Sequence, residues 1–163
     1  MRYLAGLALL VSGSAWGGPI ASQYSAGYDG VRWGLPLADL VGMLPQGEHH
    51  FSTAPGERVY IVGSDEAILG VPRSGTTTQY HLGKSGGVEE IALSVPYERR
   101  DELLGALISQ FGSYARRYEV GTSIHYDWRR DQNVAIAVRI SKDSRYGIAE
   151  FWMVHYVDPS SKQ

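Results

Sequence analysis

Two alternating segments on either side of a glycine-rich run constrain the fold of this chain more than any other feature. Bulky and polar side chains alternate from Thr78 to Leu82, and the alternation resumes from Val88 to Val95. A period of two residues sends successive side chains to opposite faces of a β-strand. The intervening glycines suit a tight turn, so the sequence predicts a β-hairpin with Lys84 exposed in its turn.

The turn of this hairpin contains Gly83-Lys84-Ser85, which matches the end of the phosphate-binding P-loop motif. That motif needs a further glycine at the position of Thr78 and a helix directly after Ser85. The residues after Ser85 instead alternate as a strand up to Pro96, so no helix N-terminus is available to bind phosphate. The sequence therefore predicts no nucleotide site and no cofactor.

The amino-terminal residues have the layout of a secretory signal peptide. Arg2 precedes a short apolar run that ends at Val11, and small residues follow. The apolar run is shorter than the about 20 residues that a membrane-spanning helix needs. We expect a signal peptide over residues 1–21, with cleavage between Gly17 and Ser22, and export to the periplasm or the medium.

The absence of cysteine and the near-balance of charge narrow the possible classes of protein. Without cysteine the chain forms no disulfide and cannot carry the lipid anchor of a bacterial lipoprotein. A net charge of -2 gives no basic domain of the kind that binds nucleic acid. No later segment approaches the length of a membrane span. We expect a flexible tether over residues 22–28, one domain over 29–158 and a disordered tail over 159–163.

Two segments have the apolar periodicity of helices. The first follows Pro36, and the second runs from Tyr97 to Gly112, where glycine is a common helix stop. Their apolar stripes comprise Leu37, Leu40, Val41 and Leu44 in the first segment and Leu103, Leu104, Leu107, Ile108 and Phe111 in the second. Each stripe predicts a helix that packs on a sheet.

The last third of the chain predicts three strands, over residues 119–128, 134–140 and 148–157. The first two alternate in polarity, whereas the third is apolar on both faces, which indicates cover on both sides or a partner. Together with the helices, these strands predict an α+β fold. We expect an antiparallel sheet with two helices packed on one face and a C-terminal three-stranded meander.

Histidine and carboxylate positions favour neither a metal site nor a known catalytic motif. His125 and Asp127 share one strand face, but an assumed pairing of Trp128 with Val134 and of Ile140 with Ile148 places His155 too far away to join them. The chain also lacks cysteine, and its Gly-x-Ser-x-Gly match at Gly83 to Gly87 is followed by a strand rather than by the helix that a nucleophile elbow needs. We therefore expect no metal, no catalytic residues and no enzyme. The alternative is an envelope hydrolase that uses His125, Asp127 or His81.

Arginine and aromatic residues cluster at two places in the second half of the chain. These residue types are enriched in the hot spots of protein interfaces, although ordinary turns and sheet edges also contain them. The candidate binding residues are Tyr114, Arg116, Arg117, Tyr118, Trp128, Arg129 and Arg130. Their partner would be a protein or an anionic envelope polymer.

The segments DGVRWGLPLADLV, GGVEEIALSVP and LLGALISQFG, with the strand that ends at Trp128, resemble a pattern of small exported bacterial α+β proteins. The pattern is similar to that of the β-lactamase-inhibitor-like and outer-membrane-assembly-lipoprotein-like groups. The resemblance implies a helix-and-sheet fold and identifies no functional residue. We predict a non-catalytic periplasmic protein of the binding, inhibitor or immunity type, or alternatively the hydrolase or a structural accessory component of the cell envelope.

Overall fold

The computed structural model describes residues 20–51, 58–143, 145, 147 and 149–156. The predicted signal peptide up to residue 19 and the predicted tail over 159–163 lie outside the described residues.

Strands dominate the structure, and each follows a segment of alternating or apolar sequence. The helices are α1 (Ile20–Tyr24), α2 (Leu37–Met43) and α3 (Arg100–Phe111), the last preceded by a 3₁₀ turn at Tyr97–Arg99. A small ribbon consists of β1 (Gly27–Tyr28) and β2 (Val31–Arg32). The other strands are β3 (Glu48–Phe51), β4 (Arg58–Ser64), β5 (Thr76–Leu82), β6 (Val88–Val95), β7 (Arg116–Val120), β8 (Ser123–Asp127), β9 (Val134–Ser141) and β10 (Ala149–His155).

These eight strands form one antiparallel sheet in the order β3-β4-β5-β6-β10-β9-β8-β7. The sheet consists of two four-stranded meanders, β3 to β6 and β7 to β10, which meet where β6 pairs with β10. The predicted α+β class with an antiparallel sheet is confirmed, although the described residues form three helices rather than two. The last meander has four strands rather than three, because Gly121, with φ +54, turns the chain back inside the segment expected to be one strand.

The hairpin predicted around LGKSGG is confirmed as β5 and β6, and Lys84 is exposed. Two glycines of the turn have separate roles. Gly86 has φ +83, a conformation that L-residues with a Cβ rarely adopt. Gly87 lies against Gly34, whose carbonyl oxygen would be only 2.5 Å from a Cβ at position 87. The glycine run therefore closes the hairpin and also lets the segment before α2 approach β6.

The hydrophobic core lies between the helices and one face of the sheet. Tyr24 of α1 contacts Phe111 of α3 and Phe151 of β10, with ring centroids 6.0 Å apart in both pairs. Leu40 of α2 and Leu103 of α3 are fully buried in the same cluster. Burial of each such side chain contributes about 1.5–3 kcal/mol, so this layer supplies most of the stabilisation.

The expectation of a flexible tether over residues 22–28 is wrong, because this segment is folded onto the core. α1 buries Ile20, Ala21 and Tyr24, and β1 follows directly. The backbone N–H of Ala21 also donates a hydrogen bond of 3.0 Å to Asp131 Oδ2. The short helix was not recognised in the sequence because one turn offers too few positions for a period to emerge. Cleavage of the chain after residue 21 would remove Ile20 and Ala21 from the core.

Candidate functional site

The sheet face opposite the helices, here called the open face, carries the polar and aromatic side chains that alternate with the core residues. In β10, for example, Phe151 and Met153 are fully buried in the core, whereas the intervening Trp152 lies on the open face and is half-buried. The cross-strand neighbours of Trp152 are Ala92 and Ala137. Because both neighbours are small, the indole is the bulkiest group in this part of the open face.

A row of aromatic and arginine side chains crosses the open face, and its outer end lies on β7 and β8. Tyr118 stacks on His125 with ring centroids 5.1 Å apart and an interplanar angle of 17°. The guanidinium of Arg116 lies 4.5 Å from the centre of the Tyr118 ring. Arg116 also donates hydrogen bonds of 3.2 and 2.7 Å to Asp127 Oδ2. Tyr118 is therefore held between a cation and an imidazole.

The inner end of the row is organised around the buried carboxylate of Glu150. Glu150 Oε2 accepts hydrogen bonds from Arg139, at 2.8 Å from Nε, and from the indole N–H of Trp152, at 3.1 Å. The guanidinium of Arg139 lies 5.5 Å from the Trp152 ring centre, and His81 lies 5.0 Å from that ring with a tilt of 49°. One carboxylate thus fixes the positions of both Arg139 and Trp152.

The strand register joins the two ends of the row. His125 of β8 is the cross-strand partner of Arg139 of β9, which in turn pairs with Glu150 of β10. Such directly opposed side chains lie about 4.5–5.5 Å apart at Cβ. The open-face row comprises Arg116, Tyr118, His125, Arg139, Glu150, Trp152 and His81. We use the name open-face row for this set below.

His125 is the titratable group at the centre of the row. Partial burial lowers the pKa of His125, the positive charge of Arg139 lowers it further, and the carboxylate of Asp127 opposes both effects. The imidazole is therefore neutral at pH 7, since its pKa lies below the usual value of about 6.5. A neutral ring can remain stacked on Tyr118 beside the Arg139 cation.

The structure separates six of the seven candidate binding residues into three groups. Arg116 and Tyr118 belong to the open-face row. Tyr114 and Arg117 lie on the helix side of the sheet, where both contact the ring of Tyr126. Arg129 and Arg130 lie in the turn before β9, and Arg130 donates to the carbonyl of Gln132.

The expectation that the seventh candidate, Trp128, binds a partner is corrected, because Trp128 is a core residue. Its side chain is only 5% exposed, and its indole N–H donates a hydrogen bond of 2.8 Å to the carbonyl of Gly112. Its ring also packs edge-on against Tyr114. Trp128 therefore closes the end of α3 onto β8 and is not available to a partner in this conformation.

Sequence reasoning missed the inner half of the row, which comprises Arg139, Glu150, Trp152 and His81. One signal did point to it, since the last predicted strand is apolar on both faces and therefore needs cover or a partner on the side away from the core. The arginine and the carboxylate could not be found in the same way, because their meeting depends on the register between β9 and β10.

The assumed register of the last strands is also corrected. Asp127 pairs with Ala137 rather than Ala135, and Ile140 pairs with Ala149 rather than Ile148. His155 pairs with Val134, which is five residues along β9 from the partner of His125, or about 17 Å. The expectation that His125 and His155 lie apart is therefore confirmed, although the register on which it was based is wrong.

The residues proposed for a hydrolase do not line the cavity that the structure shows beside the end of β6. A cavity of about 420 Å³ lies beside the end of β6, and its walls include Thr77, Ser94, Tyr97 and Glu98. His125 and Asp127 lie elsewhere, on the open face, where one is stacked on Tyr118 and the other is paired with Arg116. Within the ranges that the structure describes, no group of three or more histidine and carboxylate side chains could hold a metal ion.

None of the helices in the described part of the chain is long and apolar enough to cross a membrane. No protein-family model, no curated protein and no solved structure matches this chain.

Proposed function

We propose that the protein is a non-catalytic binding protein of the inhibitor or immunity type, and that a protein partner docks on the open face. The open-face row carries this proposal. Trp, Tyr and Arg are the residue types that dominate protein-interface hot spots, and this row contains all three in half-exposed positions. Because each side chain is already fixed by a neighbour, little conformational entropy would be lost on binding.

The stacking within the row favours a protein over a sugar or a nucleic acid. Ligands of those two classes usually stack flat on a free aromatic face, as bases do on aromatic side chains. Tyr118 has Arg116 against its ring and His125 stacked on it. Trp152 likewise contacts Arg139 and His81. The row therefore presents ring edges and polar atoms, which suit the mixed surface of a folded protein.

The pairing of charges favours a protein over an anionic envelope polymer. The two arginines of the row are bound to carboxylates, Arg116 to Asp127 and Arg139 to Glu150. Arg99, Arg100 and Arg117 also have carboxylate partners. A polyanion would have to compete with these intramolecular carboxylates, so these five arginines do not form a free cationic patch for it.

Export to the periplasm is part of the proposal, since a signal-like amino terminus precedes the folded domain. The partner is then an exported or envelope protein. With the sequence alone, a structural accessory role remains an alternative to inhibition, and the two differ in whether the partner loses activity when bound.

Affinity capture from an envelope extract tests the proposal when it compares Trp152→Ala with a matched variant on the opposite side. Truncation of an interface hot spot weakens binding by about 30-fold or more, so the captured partner should be lost with W152A. Met43→Ala is the control, because Met43 is 49% exposed and lies on α2. Equal capture by the wild type and W152A, or capture lost only with M43A, would contradict the proposal.

A further inference from the structure

The β7 strand forms an outer edge of the sheet, and its residues are more exposed than those of the inner strands. An edge strand offers unpaired backbone groups to another strand. The most exposed of the large apolar residues in the described ranges, Val120 at 56%, also lies on β7. The direction of the β7 backbone groups and the charges along the strand define what would pair with this edge.

The backbone groups of β8 point alternately to β9 and to β7. Their order identifies which backbone groups of β7 are not bonded to β8. The N–H of Trp128 donates to Ile136 on β9, and that of Lys142 donates to Thr122. Even-numbered residues therefore bond to β9, and the odd-numbered Ser123, His125 and Asp127 bond to β7. Their partners on β7 are Val120, Tyr118 and Arg116.

The N–H and C=O groups of the two remaining central residues, Arg117 and Glu119, consequently point away from the sheet. These residues carry opposite charges and flank Tyr118 symmetrically. In an antiparallel pair centred on Tyr118, Arg117 of each copy lies opposite Glu119 of the other. Arg117 of one copy and Glu119 of the other would therefore exchange two backbone hydrogen bonds across the new edge.

We infer that two copies of this chain pair antiparallel through β7, with Tyr118 opposite Tyr118 of the second copy. The arrangement is isologous, since the same patch is used twice about a two-fold axis. Opposite charges meet at both Arg117–Glu119 positions, and directly opposed charge pairs stabilise strand pairing. Val120 of each copy lies opposite Arg116 of the other, whose aliphatic stem can cover it.

The other edge of the sheet lacks this complementarity. β3 has the sequence EHHF, and opposed residues share a sheet face, so a two-fold pair of β3 strands would place Glu48 opposite His50 or His49 opposite Phe51. Neither register places an arginine or a lysine opposite a carboxylate. The pairing therefore joins the two β7 edges, and it makes the two open faces continuous across the dyad.

Sedimentation equilibrium of the purified protein, with no other component present, tests the inference. We expect a concentration-dependent monomer–dimer equilibrium. Arg117→Glu and Glu119→Arg each place like charges at the two-fold pair, and each should weaken dimerisation by about tenfold or more. An equimolar mixture of the two variants should form a heterodimer, because glutamate at 117 then faces arginine at 119. A monomeric wild type, or a mixture that stays monomeric, would overturn the inference.

Two further variants separate pairing from folding. Lys142→Ala removes one of the two intramolecular cations beside Glu119, 2.5 Å away, and should leave dimerisation unchanged. Glu119→Pro removes an outward N–H that β8 does not use, and an edge strand tolerates proline at such a position. This variant should be folded by circular dichroism and monomeric; a folded dimer would contradict the pairing. Because these measurements use the protein alone, their outcome is independent of the proposed partner.

Discussion

At the scale of single residues, Glu150 has the largest influence on the open face. Its carboxylate is 5% exposed and accepts hydrogen bonds from both Arg139 and Trp152. A buried carboxylate is costly unless donors satisfy it, and Arg139 and Trp152 do so here. Removal of the carboxylate charge would in turn leave the Arg139 guanidinium without its ion-pair partner. The position of Trp152 on the open face is therefore set by a residue that a partner would hardly touch.

Glu150→Gln should lower the free energy of unfolding and loosen Trp152. The amide keeps the shape but loses the charge that Arg139 needs, at a cost of about 1–3 kcal/mol after allowance for the partial exposure of Arg139. Urea denaturation measures this loss. Glu119→Gln is the matched control, because that carboxylate is exposed and should change stability little. Equal effects of the two substitutions would show that Glu150 has no special role.

Two histidines make stability depend on pH. Burial lowers the pKa of His125 and of His155, which stacks on Trp33 with an interplanar angle of 8°. Because the folded pKa lies below the unfolded value of about 6.5, the unfolded state binds more protons in acid. The contribution of these two histidines to the free energy of unfolding is complete above about pH 6.5 and is lost as the pH falls through their folded pKa.

Urea denaturation at pH 7.5 and pH 5.5, two conditions on either side of about 6.5, should therefore give a lower free energy of unfolding in acid. The double variant H125F/H155F retains the stacking but cannot titrate. Its free energy of unfolding should depend less on pH over this interval. An unchanged slope in the double variant would contradict the assignment to these histidines.

At the scale of secondary-structure elements, the sequence predicts elements well where a period is long and clean. The hairpin β5–β6 has the predicted strands, and α3 follows its apolar stripe to a stop at Gly112. The sequence predicts one strand over residues 119–128 where the structure has β7 and β8, because the Gly121 turn is short and the charged Arg116 and Arg117 do not resemble a strand. Strand pairing, rather than local propensity, forms β7.

The close approach at Gly87 offers a test of element packing. A Cβ at this position would lie 2.5 Å from the carbonyl oxygen of Gly34, so Gly87→Ala should lower the free energy of unfolding by about 1–3 kcal/mol. Gly63→Ala is the matched control, since nothing lies within 4 Å of its Cβ position. Chemical denaturation of both variants measures the difference. A G87A protein as stable as G63A would mean that the two segments can separate without cost.

At the scale of the whole molecule, the sheet has a symmetrical order. A helix followed by a four-stranded meander occurs twice, as α2 with β3 to β6 and as α3 with β7 to β10. The last strand of each meander meets the other at the centre of the sheet. The sequence indicates the helix-then-strands order of each half. It does not indicate that the two meanders form one sheet, because the β6–β10 pairing joins residues far apart in the chain. The open-face row depends on that union, since it runs from β7 to β5.

The central claim, that a protein partner docks on the open face, is tested most directly by site-specific photo-crosslinking. A photoreactive phenylalanine analogue replaces Gln79, which lies on the open face next to Ala92 and leaves the row intact. A second protein carries the analogue at Met43 on α2. After irradiation in the cell envelope, we predict a discrete protein adduct from position 79 and none from position 43. An adduct from position 43 alone would contradict the claim.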